Sequence, residues 1–362
     1  TTSQPIFIVN GGVQFVPFGG AAFFDAWDGA RGQELWKSDG TPAGTTIVRD
    51  LCPGSCNGRI GIELVESAGA LFFQADDGAH GQELWKSDGT AAGTAMVKDI
   101  RPGLRSSWPS FLTPAPGGVY FVADDGPHGL ELWWSDGTSA GTHMVADLLP
   151  GDAEPDYPLI DAYGPTHLVM LGAELLFAAE DNAHGRELWK TDGTVAGTTL
   201  LKDLVPGSQP GIYSYQAWPF AWDTPAVAGG RVFFGGLVAG LSGNLVPWAS
   251  DGTPAGTVPL VTPAPGSSWW ARSFSSFGEG AVFSAGPSGA VTLWRSDGTA
   301  AGTAPLGVAA NGGETLNPFP LPRPLQEQRG SGHYRTHDEA SDPQRDRASS
   351  HRQAHLPRSA AP

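Results

Sequence analysis

The stretch ELWKSDGTPAGT from Glu34 returns as ELWKSDGTAAGT, ELWWSDGTSAGT and ELWKTDGTVAGT from Glu83, Glu131 and Glu187. It recurs in weaker form as VPWASDGTPAGT from Val246 and TLWRSDGTAAGT from Thr292. The six aspartates that mark the phrase, Asp39, Asp88, Asp136, Asp192, Asp251 and Asp297, stand 46 to 59 residues apart. Such a period is the signature of a repeat architecture. Four strands of about 5 or 6 residues with short turns occupy about 40 to 50 residues. Each repeat therefore predicts one four-stranded antiparallel sheet.

The second repeat shows the layout. IELVES, ALFFQA, ELWKS and TAMVKDI read as strands, separated by AG, DDGAHG and DGTAAG. Asp-Gly pairs supply the positive-φ positions of tight hairpins. A sheet wet on one face alternates apolar and polar residues, yet Phe72 and Phe73 are adjacent, as are Leu84 and Trp85. Both faces carry bulk and both need cover. Small sheets covered on either side by their own kind predict an all-β propeller of six complete four-stranded blades, or seven with an incomplete last one. Ile6–Val9 reads as an outer strand that would complete such a last blade.

The phrase is read as architecture. Trp36, Trp85, Trp133, Trp189, Trp248 and Trp294 hold one place in every repeat, where burying an indole removes about 150 to 250 Å² from water. The following Asp-Gly-Thr reads as a loop closed by side-chain bonds to backbone N–H groups. The phrase resembles that of the bacterial ELWxxDGT-repeat proteins, over roughly Val13 to Gly313. That resemblance implies a secreted or surface-exposed propeller and leaves its biochemical role open.

Composition narrows the partners. The formal net charge is −16, which repels phosphate backbones and argues against nucleic acid. No apolar run reaches the roughly 18 residues of a membrane helix. Residues 1–315 read as the repeat domain, and 316–362 as a disordered tail rich in Arg, His, Ser, Pro and Gln, an ending unlike the repeats. The chain opens TTSQP without Met, as a mature form or a cut piece would. Cys52 and Cys56, the only two cysteines, are expected to form a local disulfide in an oxidising compartment; free thiols or a metal are the alternatives.

Two sets of residues stand out as site candidates. The first is aromatic: Trp108, Trp218, Trp222, Trp269, Trp270, Tyr213 and Tyr215 lie in the connections between repeats, where rings either tuck under their own loops or form a stacking surface. The second is the acidic hairpin of the first four repeats, with Asp76, Asp77, Asp124, Asp125, Glu180 and Asp181 beside His80, His128 and His184. Closure of a tight turn is the simpler reading of that hairpin, and calcium the sharper one. No metalloprotease, nucleophile-elbow, phosphate-loop or zinc motif occurs, so catalysis is the less favoured reading. The expectation is a secreted or cell-surface binding module for carbohydrate or an extracellular protein, working through the aromatic connections. The alternatives are a polysaccharide hydrolase or lyase on the same face and a structural spacer. No cofactor is implied beyond the candidate calcium, and the oligomeric state is left open.

Overall fold

The computed structural model describes residues 14–28, 31–53, 58, 63–151, 164–212, 224–241 and 244–309. The chain divides into two units, Thr1–Pro318 and Phe319–Pro362; the second lies outside the described residues, as does Ile6–Val9. Every regular element described is a strand. Sheet 1 contains β1 (Val16–Phe18), β2 (Ala21–Trp27), β3 (Gln33–Ser38) and β4 (Thr46–Arg49). Sheet 2 contains β5 (Leu64–Ser67), β6 (Ala70–Asp76), β7 (Gln82–Ser87) and β8 (Ala95–Lys98). Sheet 3 contains β9 (Ser110–Ala115), β10 (Gly118–Asp124), β11 (Leu130–Ser135) and β12 (His143–Ala146). Sheet 4 contains β13 (Thr166–Leu171), β14 (Glu174–Asp181), β15 (Gly185–Thr191) and β16 (Thr199–Lys202). Sheet 5 contains β17 (Ala226–Ala228), β18 (Arg231–Gly236), β19 (Val246–Ser250) and β20 (Val258–Pro259). Sheet 6 contains β21 (Trp269–Phe277), β22 (Gly280–Pro287), β23 (Thr292–Ser296) and β24 (Ala304–Ala309). In each sheet the four strands pair in chain order.

Successive side chains of a strand point to opposite faces, which explains the Leu-Trp dipeptide. In sheet 2, Trp85 packs with Phe73 and Ala75 against Leu35, Phe23 and Val48 of sheet 1. Leu84, one residue earlier, packs with Phe72 and Val97 against Phe121, Val119 and Trp133 of sheet 3. The parity repeats along the chain. Trp189 and Phe177 of sheet 4 meet Leu132 and Tyr120 of sheet 3. Trp248 and Phe234 of sheet 5 meet Leu188 and Leu176 of sheet 4. Trp294 and Phe283 of sheet 6 meet Ala249 and Phe233 of sheet 5. Each sheet thus turns its Trp to the sheet before it and the opposite face to the sheet after. Trp36 keeps the same orientation in sheet 1, where it clusters with Phe24, Ala26 and Ile47.

The indole nitrogens show how strongly area dominates here. Trp133 and Trp294 donate to the carbonyls of Ala123 and Ala285, at 3.1 and 2.8 Å. Trp36, Trp85, Trp189 and Trp248 bury the same N–H without a partner. An unmet buried donor costs about 1 to 3 kcal/mol. A buried ring recovers more than that from area alone, at about 25 cal/mol per Å².

The rest of the phrase is a closed hydrogen-bond circuit between the third and fourth strands. In the second repeat Asp88 Oδ1 accepts from the N–H and hydroxyl of Thr90, at 2.9 and 2.7 Å. The Thr90 hydroxyl accepts from Gly93 N–H, and the Thr94 hydroxyl donates to the Thr90 carbonyl. Ser87 and Thr94 share a hydroxyl bond at 2.7 Å. The same circuit holds Asp39 and Thr41, Asp136 and Thr138, Asp192 and Thr194, Asp251 and Thr253, Asp297 and Thr299. Both glycines are required. Gly89 has φ +85°, and a Cβ on Gly93 would lie 2.1 Å from the Asp88 carboxylate. Lys37 Nζ then ties sheet 1 to the next loop through the Gly89 carbonyl at 2.8 Å, and Lys98 does the same to the Thr142 carbonyl at 2.7 Å.

Replacing Trp133 by Ala should cost about 3 to 5 kcal/mol, the range for a buried aromatic. Trp294→Ala should cost clearly less, because Trp294 is only half-buried. Urea unfolding of the two variants measures the difference.

Candidate functional site

The hairpin joining the second and third strands carries the charged residues singled out by the sequence, and the structure gives most of them local partners. Asp77 accepts from the N–H groups of Ala79 and His80, and its other oxygen lies 2.8 Å from His80 Nδ1. Asp125 pairs with His128 at 2.8 Å and Asp181 with His184 at 2.9 Å. In the first repeat Asp28 and Arg31 make the equivalent contact at 2.9 Å. Asp76 accepts from Gly78 N–H, and Asp124 from Gly126 N–H and the Arg101 guanidinium. Glu180 sits opposite Arg186 in register. Most of these oxygens are spent on turn closure and ion pairs, and among the described residues no trio of His, Cys, Asp or Glu gathers as a metal would need. A calcium ion has no support at these hairpins.

Two of the aromatic candidates, Trp269 and Trp270, are engaged by neighbouring side chains rather than displayed. Trp269 lies half-buried against the cores on both sides of sheet 5, with its ring edge-on to Trp294 at 5.6 Å. The Arg272 guanidinium covers Trp270, 4.7 Å from its ring centre. Trp108 is half-buried in a left-handed conformation, φ +54°, with its N–H directed at the Gln82 carbonyl at 3.3 Å. Trp218, Trp222, Tyr213 and Tyr215 lie outside the described residues. Cys52 is disulfide-bonded, and Cys56 also lies outside them.

A third set appears only in the structure. The glutamates that open the phrase, Glu34, Glu83, Glu131 and Glu187, are fully buried. Each turns to the exit of the fourth strand and accepts backbone N–H groups there. Glu34 takes Leu51 at 3.0 Å, Glu83 takes Ile100 at 3.0 Å, Glu131 takes Leu148 and Leu149, and Glu187 takes Leu204 at 2.7 Å. Burial pushes all four carboxyls up to about 7, against the pull of these N–H groups. An aspartate in each repeat, Asp50, Asp99, Asp147 or Asp203, adds to the rise by its charge. The one sequence signal for this set is an Asp 16 residues after each Glu in four repeats.

His167, also missed in the sequence, adopts φ +58° beside a bulge in the first strand of sheet 4. It borders a small apolar cleft with Val169, Leu188, Ile212 and Phe234. Burial, then the nearby Arg186 charge, lowers its pKa to about 4 and keeps the ring neutral.

No family model matches the chain, and no curated protein does. Solved structures do. A puromycin hydrolase mutant complexed with PGG aligns with TM-score 0.48 and 17% identity, over 83% of this chain and 45% of its own. Oligopeptidase B from Leishmania major aligns with TM-score 0.41 and 11% identity, over 83% and 49%. A puromycin-hydrolyzing peptidase from Mycobacterium tuberculosis aligns with TM-score 0.35 and 13% identity, over 82% and 53%. The chain spans about half the length of these proteins. The expected carbohydrate-binding module, with its polysaccharide-cleaving and spacer alternatives, is corrected here. The three structures named above are a puromycin hydrolase, an oligopeptidase and a puromycin-hydrolyzing peptidase, none of them described as binding carbohydrate; in this chain Trp269 and Trp270 are committed to ring packing and a cation contact, and most of the hairpin acids to turn closure. Among the described residues no helix is long and apolar enough to cross a membrane.

The buried glutamates set a pH dependence. Their folded values of about 7 lie above the ordinary 4.5, so the folded chain holds protons that the unfolded chain has released. That stability is fully present below about pH 4.5 and is lost as pH rises through about 7. His80, His128 and His184, raised by their Asp partners, act in the same direction. The loop aspartates, lowered by their Thr hydroxyls, oppose it only in strong acid. Thermal melts should therefore give a higher Tm at pH 5.5 than at pH 8.5, and Glu131→Gln should shrink that difference.

Proposed function

We propose that the six sheets are blades of a β-propeller and that the chain serves as a non-catalytic platform for polypeptides of net positive charge. The packing order supports the ring. The first strands follow one another as neighbours, β1 beside β5, then β9, β13, β17 and β21. Two are tied directly: Leu64 N–H donates to Gln14 Oε1 at 3.2 Å and Leu112 N–H to Glu63 Oε2 at 2.9 Å. A seventh blade would fit between sheets 6 and 1, where Leu306 is 42% exposed and Trp36 faces away from sheet 2. The phrase and the disulfide at Cys52 support a secreted or surface protein of the ELWxxDGT-repeat kind.

One observation carries the choice of ligand. Asp39, Asp88, Asp136, Asp192, Asp251 and Asp297 are all exposed, at the same end of successive sheets. Their Thr partners hold each carboxyl below its ordinary value, so the charges persist well into acid. Together with a net charge of −16, they attract basic chains at long range.

The test is fluorescence anisotropy of the full chain with a labelled Lys/Arg-rich peptide and a neutral peptide of equal length. The basic peptide should bind, and its affinity should fall about tenfold or more as the Debye length shrinks from about 14 to 4 Å with added salt. Asn still caps such a loop, so Asp88→Asn, Asp136→Asn and Asp192→Asn combined should weaken binding while leaving Tm nearly unchanged. Equal binding of the neutral peptide, or none of the basic one, would refute the reading.

A further inference from the structure

In sheets 1 to 5 the face turned to the following sheet is covered, and in sheet 6 the same face is open. Val48, Val97, Val145, Leu201 and Leu260, each one residue past the strand partner of Trp, are buried in the core shared with the next sheet. Leu306 holds that place in sheet 6 and is 42% exposed. At the end of the first strand Ser67, Ala115 and Ala228 are buried, and Phe18 and Leu171 pack into the core shared with the next sheet. Phe277 holds that place in sheet 6 and is 73% exposed. Between these two, Val282 and Leu293 are only half-buried, where Phe72 and Leu84 of sheet 2 are fully buried. Arg295 stands where Lys37 donates to the Gly89 carbonyl of the following loop; it is exposed and has no such partner among the described residues.

The rim of sheet 1 is open in the complementary way. A Cβ on Gly89, Gly137, Gly193, Gly252 or Gly298 would touch the preceding sheet, at Phe23, Phe72, Tyr120, Leu171 or Phe233, whereas one on Gly40 would meet nothing within 4 Å. Leu64, Leu112 and Phe274, each three residues before the end of the first strand, pack on the preceding sheet. Phe15, in the same place, is 55% exposed. Trp36 itself is buried, so the open surface is the face of sheet 6 together with the rim of sheet 1. A repeat built to end an array turns a polar face outward. Sheet 6 instead shows Phe, Leu and Val with an Arg and no acid, on a chain of net charge −16, and a contiguous exposed apolar patch of this kind marks an interaction site.

We propose that the open face of sheet 6 takes one further four-stranded sheet of the same repeat kind, carried by a separate polypeptide that bears the Trp and the Asp-Gly-Thr loop. The five covered faces define that partner: each receives a Trp-bearing face and a loop glycine from the next sheet. The terminal stretches of this chain have no indole to give, since no Trp precedes Trp27 or follows Trp294. A second whole copy does not fit, because in the proposed ring its sheet 2 would fall where sheet 1 already stands. The Arg295 guanidinium is placed to donate to the partner's loop carbonyl, as Lys37 does at the first junction. The inference rests on the proposed ring for the room it leaves, and not on the reading of a platform for basic polypeptides.

A labelled peptide of residues 58–98, which holds all four strands of sheet 2 and no cysteine, titrated into the full chain tests this. It should bind and raise the Tm of the chain. Its Trp85→Ala form should bind about tenfold or more weakly. The parent peptide should lose as much on a chain carrying Phe277→Ser and Leu306→Ser, whose own Tm should hardly move because both side chains are exposed. The peptide has three basic and six acidic residues, so the loop aspartates repel it, and its failure to bind would leave the platform for basic polypeptides standing. A further copy of residues 50–98 inserted after Ala309 repeats the test within one chain, where Tm should rise in the parent and not in the double variant. Absence of both binding and the gain in Tm, equal binding of the Trp85→Ala peptide, binding that ignores the double variant, or dimerisation of the full chain through Phe277 and Leu306 would overturn the proposal.

Discussion

The structure depends on one contact: in sheets 2 to 6 the face that carries Trp is pressed against the opposite face of the sheet before it. Because strand side chains alternate, a Leu-Trp dipeptide serves two junctions at once. Leu84 belongs to the core shared with sheet 3 and Trp85 to the core shared with sheet 1. No sheet of four short strands could bury enough surface alone. Its stability is borrowed from both neighbours, as in other repeat proteins.

That dependence explains what the sequence made legible. The period, the four strands per repeat and the need to cover both faces follow from local patterns, and the strands of sheet 2 lie in the runs that its turn residues bracket. The Asp-Gly-Thr loop was readable for the same reason: Asp88, Thr90, Gly93 and Thr94 are all near in sequence. Facts that needed the third dimension were hidden. The register slips between Leu35 and Trp36, Leu84 and Trp85, Leu132 and Trp133, and Leu188 and Trp189. Those slips set the exit of the fourth strand beside the buried Glu. A count along the chain shows two acids 16 residues apart and not that the Glu is buried against the backbone N–H groups just past the Asp. Trp269 and Trp270 misled similarly, since a pair of rings in a connection looks the same whether it faces water or a core.

Charge in this protein is sorted by position. At the loops between third and fourth strands it is exposed and fixed by Thr. At the hairpins it is neutralised within a few residues by His or Arg. At the strand exits one acid of each repeat, the Glu that opens the phrase, is buried and accepts backbone N–H groups. The fifth and sixth repeats, which lack the buried acids, keep their Trp and their Asp-Gly-Thr loop. Packing and loop closure are therefore separable from whatever the acids do.

A double-mutant cycle across one junction tests the interlock most directly. Leu35 of sheet 1 and Phe73 of sheet 2 share a core, so unfolding energies of Leu35→Ala, Phe73→Ala and the double variant should give an interaction of about 0.5 to 3 kcal/mol. Simple additivity, within about 0.3 to 0.5 kcal/mol, would mean that the two sheets do not bear on each other, and the packing described here would be wrong.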